Sequence, residues 1–248
     1  LVFTLVLSKE EARKKVWATL EDAGVSRFPG AWGRIPNFLG AEKAAVALTT
    51  LEEWRQAETI KSNPDLAQRP VRELALREGK TVYMAVPRLK DEKCFIQLDQ
   101  RVVGNRCRLA STIRGAFTMG KKVFPEDVKS IDLMVVGSVA VDKSGGRVGK
   151  GGGYSDLEYG IGRHLGVIKA ETPVVTTVHP LQILQEEVEM KPHDVPVDLV
   201  VTPGTIIRTE SPHRKPCGID WGLISSEQLQ RIPVLQRIKG RTLNRHAE

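Results

Sequence analysis

The run IDLMVVGSVAVD, residues 131–142, is apolar at nearly every position rather than at alternate ones. Successive side chains of a strand point to opposite faces, so a half-exposed strand alternates, and one that is apolar throughout must be covered on both sides. That is the environment of a central strand in a parallel sheet with helices above and below it, and it restricts the chain to an α/β layer architecture. PVVTTVH, residues 173–179, and DLVVT, residues 198–202, have the same buried character, and TIIRT, residues 205–209, is placed to return beside the latter. TVYMAVP, residues 81–87, is a fourth strand, ended by Pro87.

Helical periodicity fills the intervals. Ser8 and Glu11 have capping-box spacing, and Val16, Trp17 and Leu20 continue one apolar face, which predicts a helix over 9–23 ended by Gly24. Residues 27–40 are rich in turn formers and aromatics and predict an ordered loop; 41–57 regain a helical pattern through Ala44, Ala45, Leu48, Leu51 and Trp54. After the breaker Ser62-Asn63-Pro64-Asp65, a short helix is expected over 67–78, closed by Gly79. A helix is expected near 154–165, a helical or irregular stretch over 181–190, and a short closing helix from Ser225 interrupted by Pro233. With 248 residues, 41% of them hydrophobic, and no repeat or low-complexity linker, the expectation is one α/β domain over 1–248. It would be a three-layer, Rossmann-like domain with a central, mainly parallel sheet flanked by helices and a helical N-terminal portion over 8–60.

The formal net charge of +7 favours polyanionic partners: nucleotides, folates with glutamate tails, or nucleic acid. Cys94, Cys107 and Cys217 are widely spaced and form no CxxC pair, which argues against a zinc knuckle or a disulfide framework. LVFTLVL at the start is only seven residues long and lacks a basic region before it, so it is expected to be an edge strand or lead-in. No run approaches the roughly 18 apolar residues needed to span a bilayer, and a cytoplasmic location without a membrane partner is expected.

The long apolar run is followed by GGRVGKGGGYSD, residues 145–156, with six glycines, Arg147, Lys150 and a terminal Asp156. It is not a Walker A loop, because Gly151 stands where Ser or Thr must follow the lysine, and its glycine spacing does not fit the dinucleotide fingerprint. Its composition still suits a phosphate cradle, since glycines let successive N–H groups converge and a helix beginning just beyond adds free donors. In such a cradle Arg147 is a fork for phosphate oxygens, Lys150 a mobile point charge, and Asp156 a carboxylate tolerable beside phosphate when a divalent cation lies between them. A flexible or purely structural turn accounts for the same residues equally well.

Gly145, Arg147, Gly149, Gly151, Gly153, Tyr154 and Asp156, with Val148 in a leucine position, resemble the signature G-x-R-L-G-x-G-x-G-Y-Y-D-R of the 5-formyltetrahydrofolate cyclo-ligase family, also called methenyltetrahydrofolate synthetase. Lys9 and Arg13 look like that family's N-terminal K-x-x-x-R, and MKPHDVPVDLVVTP, residues 190–203, looks like its late histidine-aspartate segment. Ser155 in place of the second tyrosine and Leu157 in place of the basic residue depart from the pattern, and residues 42–89 look like a divergent branch.

The resemblance implies ATP-dependent closure of 5-formyltetrahydrofolate to 5,10-methenyltetrahydrofolate, with release of ADP and phosphate. It implies catalytic roles for Lys9, Arg147 and Lys150, and ATP binding by Lys9, Arg13, Arg147, Gly149, Lys150, Gly151, Gly152, Gly153, Tyr154 and Asp156, with Asp156 placing magnesium. ATP, Mg2+ and a reduced folate would then be the partners. Met84, Pro87 and Phe95 are candidates for the folate wall and equally for packing, and His179 and His193 for proton exchange or for ordering turns. The alternative is a catalytically altered or inactive relative that binds nucleotide or RNA. Arg101, Arg106, Arg108, Arg114, Lys121 and Lys122 would serve RNA, although no recognition element accompanies them.

Overall fold

The computed structural model describes residues 5–245, with side chains described as far as Arg241. The strands are β1 Val6–Leu7, β2 Thr59–Ser62, β3 Thr81–Ala85, β4 Phe95–Leu98, β5 Lys121–Val123, β6 Leu133–Val136, β7 Ala140–Asp142, β8 Arg147–Val148, β9 Val174–Thr177, β10 Ile183–Leu184, β11 Glu187–Val188, β12 Leu199–Val201 and β13 Ile206–Arg208. The helices are α1 Lys9–Asp22, α2 Ala41–Thr49, α3 Glu52–Gln56, α4 Arg69–Arg77, α5 Gln100–Val103, α6 Cys107–Ala110, α7 Ile113–Met119, α8 Tyr154–His164, α9 Ser226–Arg231 and α10 Pro233–Arg245.

Eight strands form the main sheet in the order β13-β12-β9-β6-β2-β3-β4-β5. The five inner strands from β12 to β3 run parallel, while β13, β4 and β5 pair antiparallel at the edges. Alternate residues of β6 enter opposite cores, as its unbroken apolar character requires. Leu133 and Val135 pack with α2, α4 and α6 through Leu48, Val71, Leu76 and Ala110. Met134 and Val136 pack with α8 and α10 through Tyr159, Ile161 and Leu235 on the other face. A third core joins α1, through Ala12, Val16 and Leu20, to β7 and β8. The expected mainly parallel sheet flanked by helices is therefore present.

The local rules hold at the ends of α1: Ser8 and Glu11 make the reciprocal capping box, and Gly24 follows at φ +63°. The structure departs from these expectations, or adds to them, in four places. The apolar run 131–142 is two strands, because the chain leaves the main sheet at Gly137 and β7 joins a separate three-stranded sheet, β10-β7-β8. Residues 181–190, expected to be helical or irregular, begin in a 3-10 turn, Pro180–Gln182, and hold two two-residue strands, β10 and β11, in otherwise irregular chain. The helical portion over 8–60 is interrupted by the loop 24–40 and ends by entering β2. Residues 91–130, unassigned from the sequence, supply β4, β5 and three short helices. Of the N-terminal lead-in, Val6–Leu7 pairs in parallel with β11, and residues 1–4 lie outside the described residues.

Candidate functional site: a cleft at the strand-order switch

From β2 the chain proceeds to β3 on one side and later returns to β6 on the other. In open parallel sheets such a reversal leaves a crevice beyond the carboxyl ends of the two strands, because their onward connections diverge to opposite faces. The residues leaving β2 are Asn63, Pro64 and Asp65, the residue leaving β6 is Gly137, and all four line one cavity of about 430 Å³. The glycine loop forms its far wall, where Arg147, Gly149, Lys150, Gly152, Gly153, Tyr154 and Asp156 line the same cavity.

Gly151 and Gly153 sit at φ +108° and +67°, conformations that favour glycine, and Gly153 is the N-cap of α8. The open first turn of the 11-residue α8 thus begins at the cleft, where its free N–H groups and the positive end of its dipole suit an anion. The loop is held from outside by α1: Arg13 donates through Nε to the Gly149 carbonyl at 2.7 Å.

Arg147 is only 4% exposed. Its Nη1 donates to the Gly137 carbonyl at 3.0 Å and its Nη2 to Asp156 Oδ1 at 2.6 Å, while Nε is buried without a partner. Asp156 Oδ1 also accepts from the Val195 N–H at 3.1 Å. Arg147 and Asp156 are therefore paired with each other in the wall. Lys150 is half exposed and lies 3.4 Å from Asp65 Oδ1 across the cleft, which makes it the mobile charge of the loop.

The opposite wall rests on buried charge. Arg72 donates to the carbonyls of Asn63, Pro64, Asp65 and Ser111, clamping the 63–65 turn, and burial pushes its pKa down to about 9, so it stays protonated at neutral pH. Lys61 in β2 and Glu158 in α8 form an ion pair whose side chains are 1% and 5% exposed, joining the two walls beneath the cleft. Asn63 Nδ2 also approaches Glu158 Oε2 at 3.5 Å, and Ser155 Oγ reaches Asn63 Oδ1 at 3.4 Å. Burial holds the Glu158 carboxyl above the usual carboxylate range, against the pull of Lys61.

Of the candidate site residues, seven line the cleft together; Lys9, Arg13 and Gly151 do not. Lys9 reaches Asp194 in the histidine-aspartate segment, whose Oδ2 also accepts from the Lys191 N–H at 2.6 Å. Met84 and Phe95 are buried in the cores, so of the three proposed wall residues only Pro87 borders the cleft. His179 caps a turn, its Nδ1 accepting from the Leu181 N–H at 3.2 Å, and borders neither this cleft nor the second cavity on the far side of the loop. His193 and Leu157 border that second cavity.

The basic residues of α5–α7 and β5 line neither cavity, and Arg101 and Lys122 are paired with Asp99 and Asp91. Asn63, Asp65 and Glu158, with Lys61 behind them, escape a sequence search because their proximity is created by the switch point. The one local hint is a lysine within a short β-capable segment, TIKS.

A doubly wound α/β sheet with an anion-suited loop at its switch point defines the class. Within it, residues 8–203 match the 5-formyltetrahydrofolate cyclo-ligase family, and the chain belongs to that family. The mouse methenyltetrahydrofolate synthase domain-containing protein is 38% identical over 239 residues, covering 95% of this chain, and the human protein of the same name is 34% identical over 95% of it. The chain spans 64% and 62% of those relatives' lengths. The solved 5,10-methenyltetrahydrofolate synthetase of Aquifex aeolicus shares the fold at 22% identity and a TM-score of 0.50, covering 83% of this chain and 94% of that one. No helix among the described residues is long and apolar enough to cross a membrane.

Proposed function

We propose that the chain is an ATP-dependent cyclo-ligase that closes 5-formyltetrahydrofolate to 5,10-methenyltetrahydrofolate, with the triphosphate on the glycine loop and the reduced folate in the cleft. The observation that carries this is the meeting of the glycine loop, the α8 N-terminus, Lys150 and the Arg147–Asp156 pair on one cavity at the switch point. In the reaction the formyl oxygen takes the γ-phosphoryl group, ADP leaves, N10 attacks the activated carbon, and phosphate and the N10 proton depart.

The loop amides and Lys150 would hold phosphate charge, and Arg147 would add fixed positive charge from the wall. Lys9 and Arg13, outside the cleft, would act by fixing Asp194 and the loop. Among the described residues no group of three His, Cys, Asp or Glu side chains is arranged to hold a metal alone. Asp156, whose Oδ1 is held by Arg147 and Val195, would offer only its other oxygen to an ion that takes its remaining ligands from phosphate and water, with Asp65 across the same cavity. Bound there, magnesium would neutralise phosphate charge.

Purified chain given Mg-ATP and 5-formyltetrahydrofolate should develop the near-ultraviolet absorbance of the methenyl product. Failure to do so while ATP binds would replace this with a second reading: a nucleotide-binding relative without ring closure. The occupation of Asp156 Oδ1 by Arg147 and Val195, together with Ser155 in place of a tyrosine, favours that second reading.

A further inference from the structure

Residues 100–125 contain six cations, Arg101, Arg106, Arg108, Arg114, Lys121 and Lys122, and no carboxylate, so they account for six of the seven charges in the formal net charge of the whole chain. Arg101 is paired with Asp99 and Lys122 with Asp91. Arg106, Arg108, Arg114 and Lys121 are exposed and make no ion pair with any described residue.

Apolar side chains stand among these cations. The layer formed by α5, α6 and α7 covers the main sheet through Val103, Cys107, Ala110 and Ala116, which are buried in the first core, so its remaining side chains project outward. Val102 of α5, Leu109 of α6, and Ile113 and Phe117 of α7 are exposed, from 64% at Val102 to 38% at Phe117. Leu109 to Lys122 forms one continuous surface. A Cβ on Gly115 of α7 would lie 1.9 Å from the Leu109 carbonyl oxygen, Ile113 and Phe117 are one turn apart on α7, and Lys122 Nζ lies 5.4 Å from the Phe117 ring. A further cavity, of about 280 Å³, is lined by Gln97, Asp99, Val102, Met119, Gly120 and Lys121, so Val102 and Lys121 join the patch to a recess. Asp99, the one carboxylate there, has both oxygens bonded to Arg101, which lowers its pKa to about 2.

We propose that this face docks an acidic segment of a partner protein, with its carboxylates on Arg106, Arg108, Arg114 and Lys121 and one of its apolar side chains seated in the recess beside Val102 and Met119. Cations interleaved with uncovered apolar side chains match a ligand that combines negative charge with apolar surface. A nucleic acid would meet the cations, but Val102, Leu109 and Ile113 offer its sugar-phosphate chain nothing. Phe117 is the single aromatic residue between 100 and 123 and is faced by Lys122, so no run of rings is present for successive bases. A lipid surface would meet cations and apolar side chains together, yet it leaves the recess empty. An inserted side chain fills such a recess, as the anchor residues of protein interfaces do. The face lines neither the cleft nor the cavity on the far side of the loop, so an occupant here leaves the residues of the proposed reaction uncovered.

The probe is a displayed library of short random peptides panned on the purified chain, with the enriched peptides then synthesised and their affinities measured by fluorescence anisotropy. One variant, Arg108→Glu with Arg114→Glu, reverses charge. The other, Leu109→Ser with Ile113→Ser, removes apolar surface, so loss of folding in one, read from its unfolding midpoint, leaves the other informative. The expected result is a set of peptides rich in Asp, Glu and large apolar residues that lose about tenfold in affinity for each variant. Enrichment of no peptide that responds to these substitutions overturns the proposal, as does enrichment of basic peptides. Peptides that respond to charge reversal alone reduce the face to a nonspecific cation patch and overturn it too. Oligouridylate RNA or phosphatidylserine vesicles that bind more tightly than the best peptide, and lose that binding on charge reversal, assign the face to nucleic acid or to membrane instead.

Discussion

The cleft wall carrying Gly149–Gly153 is held by backbone conformation and one arginine from α1, whereas the wall carrying Asn63–Asp65 is held by the buried cations Arg72 and Lys61. The first wall presents exposed, replaceable chemistry. The second has its cations locked into the fold, and besides the Asp65 carboxylate it offers the cleft their consequences, a fixed turn and a fixed distance to α8. Substitutions should therefore separate: those in the loop should change ligand binding, and those under the other wall should change stability.

The largest effect is expected from Lys61→Met, which leaves Glu158 buried without its counter-charge and should cost roughly 3–5 kcal/mol in denaturant unfolding. Adding Glu158→Leu should recover most of that loss, and additive losses in the double variant would break the picture of a coupled pair. The pH dependence sharpens this. Burial already holds the Glu158 carboxyl above its ordinary range, and removing Lys61 raises it further. A carboxyl with a raised folded-state pKa contributes stability that is fully present below the unfolded pKa and lost as pH rises through the folded one. The Lys61→Met deficit should thus be smallest in acid and grow toward neutrality.

Next is Arg72→Met, which strips the donors from four buried or part-buried carbonyls and should cost about 3 kcal/mol. Lys150→Ala, on the loop, should leave the unfolding midpoint almost unmoved while weakening ATP by about tenfold; a stability loss as large as that of Arg72→Met would erase the contrast between the walls. The smallest effect concerns His179, whose imidazole is held below its usual pKa by burial and caps a turn as an acceptor. Its contribution is present above the ordinary pKa of about 6.5 and should fade as pH falls through the lowered value. His179→Asn should flatten that part of a stability profile.

The same contrast explains what the sequence reveals. β3, β6, β9 and β12 announce themselves as apolar runs, α1 by its cap and periodicity, and α4 by the breaker before it and Gly79 after it, because these signals are local. β2 does not: Thr59-Ile60-Lys61-Ser62 has no apolar run, and its lysine is tolerable in the centre of the sheet only because Glu158, 97 residues later, neutralises it. Without β2 the switch point is invisible, and with it Asn63, Asp65 and Glu158. The glycine loop is legible as a segment, yet the mutual pairing of Arg147 and Asp156 is not, since spacing alone suits them equally well to a shared phosphate. For Met84 and Phe95 the sequence leaves wall and packing equally open, and the structure selects packing, with both residues in the cores.

The bond from Arg13 to Gly149 crosses 136 residues of chain and ties the shape of the loop to the docking of the first helix. A chain emerging from the ribosome carries that helix well before the loop exists, so the contact becomes available only once residue 149 has been made. Amide hydrogen exchange across Gly149–Gly153 should therefore quicken when Arg13 is replaced by alanine, even though the sheet beneath keeps its protection, and the site would melt locally while the fold endures.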